Sequence, residues 1–187
     1  MTRWLAWIAI VLACVGGWEV AAAGWIHAKA LLAQKLIASA WSDARNGKTA
    51  RRPWPWADMR PVGRLTVPTL GVELFILDNA SNRALAFGPA HVSGTAAPGS
   101  AGNTVIVAHR DTHFAFLRDL HADDEIDVET ASGRARYRVR EITVVDKSET
   151  RVMDAGAPQL TLITCFPFDA VRPGTNLRYV VIAQRLG

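Results

Sequence analysis

The chain has 187 residues, half of them apolar and one fifth charged, with a formal charge of +4. That composition excludes a disordered polymer, which lacks the apolar residues to build a core. The positive surplus is scattered arginine, with no Lys/Arg run interleaved with aromatics, so it argues against nucleic-acid binding and is explained more simply by anionic lipid headgroups.

Trp4 to Ile26 forms an apolar run of 23 positions in which Glu19 is the only charge, long enough as a helix to cross a hydrocarbon core. Trp4, Trp18 and Trp25 suit the interfaces, and Glu19, past the middle, belongs toward the outer headgroups or is protonated. A cleaved signal peptide competes with this reading. Arg3 supplies a minimal positive n-region, Leu5 to Val15 an h-region, and Ala21-Ala22-Ala23 a cleavage site. The apolar pattern runs on past that site, which favours an uncleaved single-pass anchor over residues 1–26, held by membrane lipid. Either way the rest of the chain is exported, to the extracytoplasmic or periplasmic side of the cytoplasmic membrane.

Next, residues 27–61 are expected to form a stalk and linker. HAKALLAQKLIASAWSDARNG sets Leu32, Leu36, Ala40 and Trp41 near one face of an amphipathic helix, which Asn46-Gly47 closes. KTARRPWPWADMRP holds three of the nine prolines and two tryptophans, so regular structure is not expected there.

From Val62 to Gly187 the period changes to short β-type runs divided by turn signals. Strands are expected at Gly63 to Val67, Val72 to Asp78, Asn103 to Ala108, Glu125 to Thr130, Arg134 to Asp146, Gln159 to Thr164 and Asn176 to Gln184. Short helices are expected at Ala80 to Phe87 and Phe114 to Leu120. About 125 residues suffice for one domain with one core, and seven or so closely spaced strands make it mainly all-β, a barrel or sandwich.

The export signal bears on the two cysteines. Cys14 falls in the bilayer or is removed, so it cannot pair with Cys165. A lone thiol in an oxidising compartment is either buried and inert or kept for its chemistry. Cys165 ends one expected strand, with Pro167, Pro173 and Gly174 in the loop beyond it, and Arg178 stands on the next strand. His109 ends the strand of NTVIVAHRD. Cysteine chemistry at a peptide bond needs a thiolate, a proton donor for the leaving amine and a positive group for the developing oxyanion. Cys165, His109 and Arg178 match those needs. Each also has an ordinary role open to it: a core cysteine, a histidine satisfying backbone, an arginine paired across strands. Arg172 rivals Arg178 but precedes a proline in the loop, His91 and His121 read as surface residues, and His109 with His113 makes only a weak metal pair.

TLITC, followed by an arginine 13 positions later, resembles the TLxTC-and-Arg signature of sortases, and the strand ending in AHRD resembles their strand ending in the catalytic histidine. The similarity covers roughly Val62 to Gly187, including GPAHVSGTAAPGSAGNTVIVAHRD. The PWPWAD stretch and the shortness resemble the single-substrate sortases of Gram-negative bacteria, of the marine proteobacterial type. The resemblance implies a closed eight-stranded β-barrel and a transpeptidation. Cys165 would attack an LPxTG-like C-terminal sorting signal on a secreted protein and form a thioacyl enzyme, which an amine acceptor resolves. His109 would protonate the leaving group, Arg178 would hold the carbonyl or oxyanion, and Thr164 would help orient substrate. No cofactor is implied.

Alternatives from other classes are a silent membrane-tethered barrel that binds an envelope protein and a peptidoglycan-crosslinking cysteine transpeptidase, whose SHGC-type motif is absent. Hydrolysis of the same thioester by water is also open. The sequence departs from the sortase pattern at Ala108, where many relatives have glycine. It departs again in Phe87 to Asn103, which contains no carboxylate where calcium-activated sortases keep acidic ligands. The acidic stretch Asp123 to Asp127 reads as a solvated loop entering a strand. Turnover should therefore be unchanged in a calcium titration; a rate that rises with calcium would overturn this expectation.

Overall fold

The computed structural model describes residues 2–48, 51–154, 156–172 and 174–187. The chain divides into two compact units, Met1–Lys35 and Leu36–Gly187. A helix, α1, runs from Thr2 to Arg45 and contributes to both. Its portion in the first unit is long and apolar enough to cross a bilayer, and a signal sequence would have the same properties. Trp4, Trp18, Trp25 and Ile26 are exposed there, and the Lys29 ammonium stands 5.6 Å from the Trp25 ring centroid.

In the second unit the last turns of α1 bury Ile37, Ala40, Trp41 and Ala44, the 3–4 spacing of one helical face. Ile37 clusters with Ala57, Met59, Leu77, Ala84 and Ala90, against which Trp54 and Phe87 also pack. The segment expected to be a linker is thus partly structural: proline prevents regular hydrogen bonding around Trp54 but leaves the side chains free to pack. Thr49 and Ala50, within that expected stretch, lie outside the described residues.

Eight strands follow: β1 (Pro61–Val67), β2 (Val72–Leu77), β3 (Ala90–His91), β4 (Asn103–Val107), β5 (Glu125–Thr130), β6 (Gly133–Asp146), β7 (Gln159–Phe166) and β8 (Leu177–Arg185). They close into a barrel in the order β1-β2-β3-β4-β7-β8-β6-β5. All seven expected strands are present. The eighth, β3, spans two residues, too few for a periodic signal. Gly63 stands where a Cβ would come within 3.0 Å of the Glu129 carbonyl oxygen, so a side chain there would push β1 from β5. Short helices stand at Asn82–Leu85 and, as a 3₁₀ segment, at Ala115–Asp119.

Alternation sorts side chains to two faces. Leu65, Ile76, Ile106, Ile126, Tyr137, Leu160, Leu162 and Val181 fill the barrel interior. Val105, Ile163 and Val180 form a second apolar layer outside it, on β4, β7 and β8. The segment before β7 covers that layer with Val152 and Met153. Buried Asn103 pins it, its amide donating to the carbonyls of Val152 (3.1 Å) and Asp154 (3.2 Å) while its Oδ1 accepts from the Thr161 hydroxyl at 2.7 Å.

Most pairs are antiparallel, but β2 and β3 run parallel at Leu77 beside Ala90, and β4 and β7 run parallel with Thr104 beside Leu160 through Val107 beside Ile163. Their C-terminal ends therefore emerge on the same rim. If the helix end belongs to the domain, Ile37→Ala should lower unfolding free energy by about 2–5 kcal/mol, the usual cost of emptying a filled core site. Denaturant unfolding measures this; a loss under about 0.5 kcal/mol would mean the helix end is not part of the core.

Candidate active site

The rim where β4 and β7 end collects the residues with chemical potential. Cys165 pairs in register with Arg178 across the antiparallel β7–β8 ladder. On its other side, the Ala108 amide donates to the Ile163 carbonyl at 3.4 Å and the Thr164 hydroxyl donates to the Ala108 carbonyl at 2.8 Å. This carries the parallel β4–β7 alignment one step past β4, so that His109 comes level with Cys165. Cys165 and Arg178 fall on the outward alternation of Ile163 and Val180, and His109 lies two residues past the end of β4. The sequence-expected trio thus comes together on one rim of the barrel, above the outer apolar layer.

Their exposures differ in a useful way. Cys165 and Arg178 are half-buried and His109 is exposed. A half-buried thiol at a strand end is reachable and rigidly based, unlike an inert core thiol. Cys14 is also free and exposed, on α1 in the other unit.

Arg178 keeps one guanidinium nitrogen on backbone, Nη1 donating to the carbonyls of Thr175 (2.7 Å) and Leu177 (2.9 Å). Among the described residues it forms no close salt bridge, although its charge acts on the nearby Asp146 carboxylate, and its Nε and Nη2 make no hydrogen bond to protein. Those donors remain for an anion forming beside Cys165. Arg172 has its side chain exposed on the loop, while its carbonyl accepts from Arg110 at 3.1 Å. Pro173, expected among the turn residues of that loop, lies outside the described residues.

Thr164 stands elsewhere. It is 2 % exposed, on the inward alternation of Leu160 and Leu162, with its hydroxyl spent on Ala108. Its side chain fixes the strand end that leads into His109 and does not reach the outer surface. His91, read as a surface residue, is half-buried, and its ring bonds the Ala96 carbonyl and the Thr95 hydroxyl, each at 3.0 Å, holding the β3–β4 loop.

Sequence reasoning also passed over the surroundings of His113. It lines an open groove of about 380 Å³ together with Val72, Glu73, Leu74, Thr112, Ala115 and Phe116. Burial first, and then the charge of His109, hold its imidazole below the ordinary histidine pKa, so it is neutral near pH 7. Among the described residues no cluster of three His, Cys, Asp or Glu side chains could hold a metal ion.

A histidine whose proton is disfavoured by folding stabilises the fold fully above its unfolded pKa and loses that contribution as pH falls through the lowered folded value. Stability measured by denaturant should therefore drop below about pH 6.5 more steeply in the parent than in His113→Gln. Parallel pH profiles would show that protonation of His113 is not linked to folding.

Comparison with known proteins agrees with this geometry. The sortase domain profile matches residues 65–186. The chain is 28% identical over 126 residues to sortase D of Bacillus subtilis, covering 66% of this chain and 63% of that protein. It is 27% identical over 131 residues to sortase A of Bacillus anthracis, covering 67% and 60%. The chain thus spans about three fifths of the length of these curated relatives. Among solved structures, sortase A of Corynebacterium diphtheriae superposes with a TM-score of 0.63 at 28% identity, over 71% of this chain and 63% of that one. Sortase C-1 of Actinomyces oris gives 0.62 at 28% identity, over 83% and 98%. A closed eight-stranded barrel with cysteine, histidine and arginine on one rim, matched by the domain profile over most of its length, means that the chain belongs to the sortase family.

Proposed function

We propose that the chain is a membrane-anchored cysteine transpeptidase that cleaves an LPxTG-like C-terminal sorting signal and joins the carrier protein to an amine. The observation that supports this best is the register across β4, β7 and β8, with Arg178 directly opposite Cys165 and His109 level with it. In the first half-reaction the Cys165 thiolate adds to the threonine carbonyl carbon, and the unpartnered Arg178 donors stabilise the oxyanion. As the C–N bond breaks, protonated His109 gives its proton to the departing amine, leaving a thioester. In the second half-reaction an amine adds to that thioester and loses a proton to His109. Expulsion of the thiolate then restores the enzyme and makes a new amide.

The substrate would lie at the rim beside Cys165, with the Asn103-pinned segment that covers Val105, Ile163 and Val180 as one wall. The N-terminal helix would hold the domain at the outer face of the cytoplasmic membrane, where a secreted carrier arrives unfolded at its C-terminus. The short chain and the PWPWAD stretch fit the Gram-negative type that serves one dedicated substrate. Thr164 acts as a positioning residue for His109.

Cys165→Ala should abolish release of the sorting signal while leaving the thermal unfolding midpoint near that of the parent. Arg178→Ala should cost about 10²–10³ in turnover, the usual loss for an oxyanion donor, while Arg172→Ala should cost little. Persistent processing in Cys165→Ala would refute the mechanism, and a larger loss at Arg172 would reassign the oxyanion role.

A further inference from the structure

Arg110, directly after His109, has no role in the chemistry above and is only 9 % exposed. A buried cation is expensive to desolvate, and this one has no carboxylate partner among the described residues. Its donors go to a single loop, between β7 and β8. Nη2 donates to the carbonyls of Ala170 at 2.6 Å and Arg172 at 3.1 Å, and Nη1 to the Thr175 hydroxyl at 3.4 Å. Thr175 is also the residue whose carbonyl accepts from Arg178 at 2.7 Å. Two guanidinium groups therefore meet on one threonine, Arg110 on its side chain and Arg178 on its backbone. A second tie joins the same two segments, the Arg118 guanidinium lying 5.1 Å from the Phe168 ring centroid.

We infer that Arg110 is a positioning residue for the reaction: by locking the 170–175 segment through Thr175 it sets where the Arg178 guanidinium stands against Cys165. This rests on the catalytic reading of Cys165 and Arg178. An arginine side chain free to sample its rotamers would meet the oxyanion in few of them, whereas one held by a fixed carbonyl is preorganised. The planar fork matters as well as the charge, because Arg110 spans two carbonyls and a hydroxyl, which a lysine ammonium cannot reproduce.

The test is a double-mutant cycle on the full-length chain in detergent, with an internally quenched LPETG peptide as substrate and glycine amide as acceptor. Arg110→Gln should lower kcat by up to about 100-fold with little change in KM, and Arg110→Lys should not restore it. In an Arg178→Ala background, Arg110→Gln should cost no further activity, because its effect passes through the missing guanidinium. Alkylation of Cys165 by iodoacetamide, followed in a Cys14→Ala background, should be slowed no more in Arg110→Gln than in Arg178→Ala. Losses that multiply in the double variant would overturn the inference, as would alkylation slower in Arg110→Gln than in Arg178→Ala, which would place the effect on His109. If Arg110→Gln does not fold, Thr175→Val removes the same hydrogen bond and enters the same cycle, with the same two outcomes decisive. A parent that leaves the peptide uncut, or an Arg178→Ala variant as fast as the parent, would sink the catalytic reading and this inference with it. A slow Arg178→Ala variant with multiplying losses would sink this inference alone.

Discussion

The parallel pairing of β4 with β7 is the constraint from which the site follows. Antiparallel neighbours would send their C-terminal ends to opposite rims, and a histidine ending one strand could never stand level with a cysteine ending the next. Parallel neighbours need a crossover, and here it is supplied by the β5–β6 hairpin, which also closes the barrel against β1 and β8. Barrel closure and assembly of the candidate site are in that sense one topological event. The 14-residue β6 makes it possible, since a register shift between Val139 and Glu141 lets one strand serve β5 along one half and β8 along most of its length.

Side-chain parity does the rest. On β7, Leu160, Leu162 and Thr164 face the core and Ile163 and Cys165 face out, so the motif TLITC alternates between the two faces residue by residue. Cys165 stands on a strand anchored by an apolar layer on each face, which limits how far its backbone can drift.

Much of this was legible in the sequence, for physical reasons. Period-two patterning marked seven of the strands because each has at least one buried face, and a histidine two residues past β4 and a cysteine one residue before the end of β7 are followed by turn residues. What stayed hidden depends on contacts between distant segments. β3 has only two residues and exists because Ala90 and His91 are held between β2 and β4. The Pro/Trp stretch lacks periodicity yet buries Ala57 and Met59. Thr164 was assigned to substrate from adjacency to Cys165, although adjacency on a strand means opposite faces. Arg110 was passed over because nothing local distinguishes an arginine buried under a loop 60 residues away from one in solvent.

Closure of the barrel also constrains how any extended polypeptide can be recognised. With β5 paired to β1, β6 to β8 and β7 to β4, a visiting chain finds no edge to join on those strands; β2 meets β3 only at Leu77 and Ala90, so among the described strands its remaining outer edge is where an added strand could pair. Everywhere else around the barrel, a bound chain would have to be held by side chains and by backbone groups of the rim loops. Those loops can vary in sequence without disturbing the strands beneath.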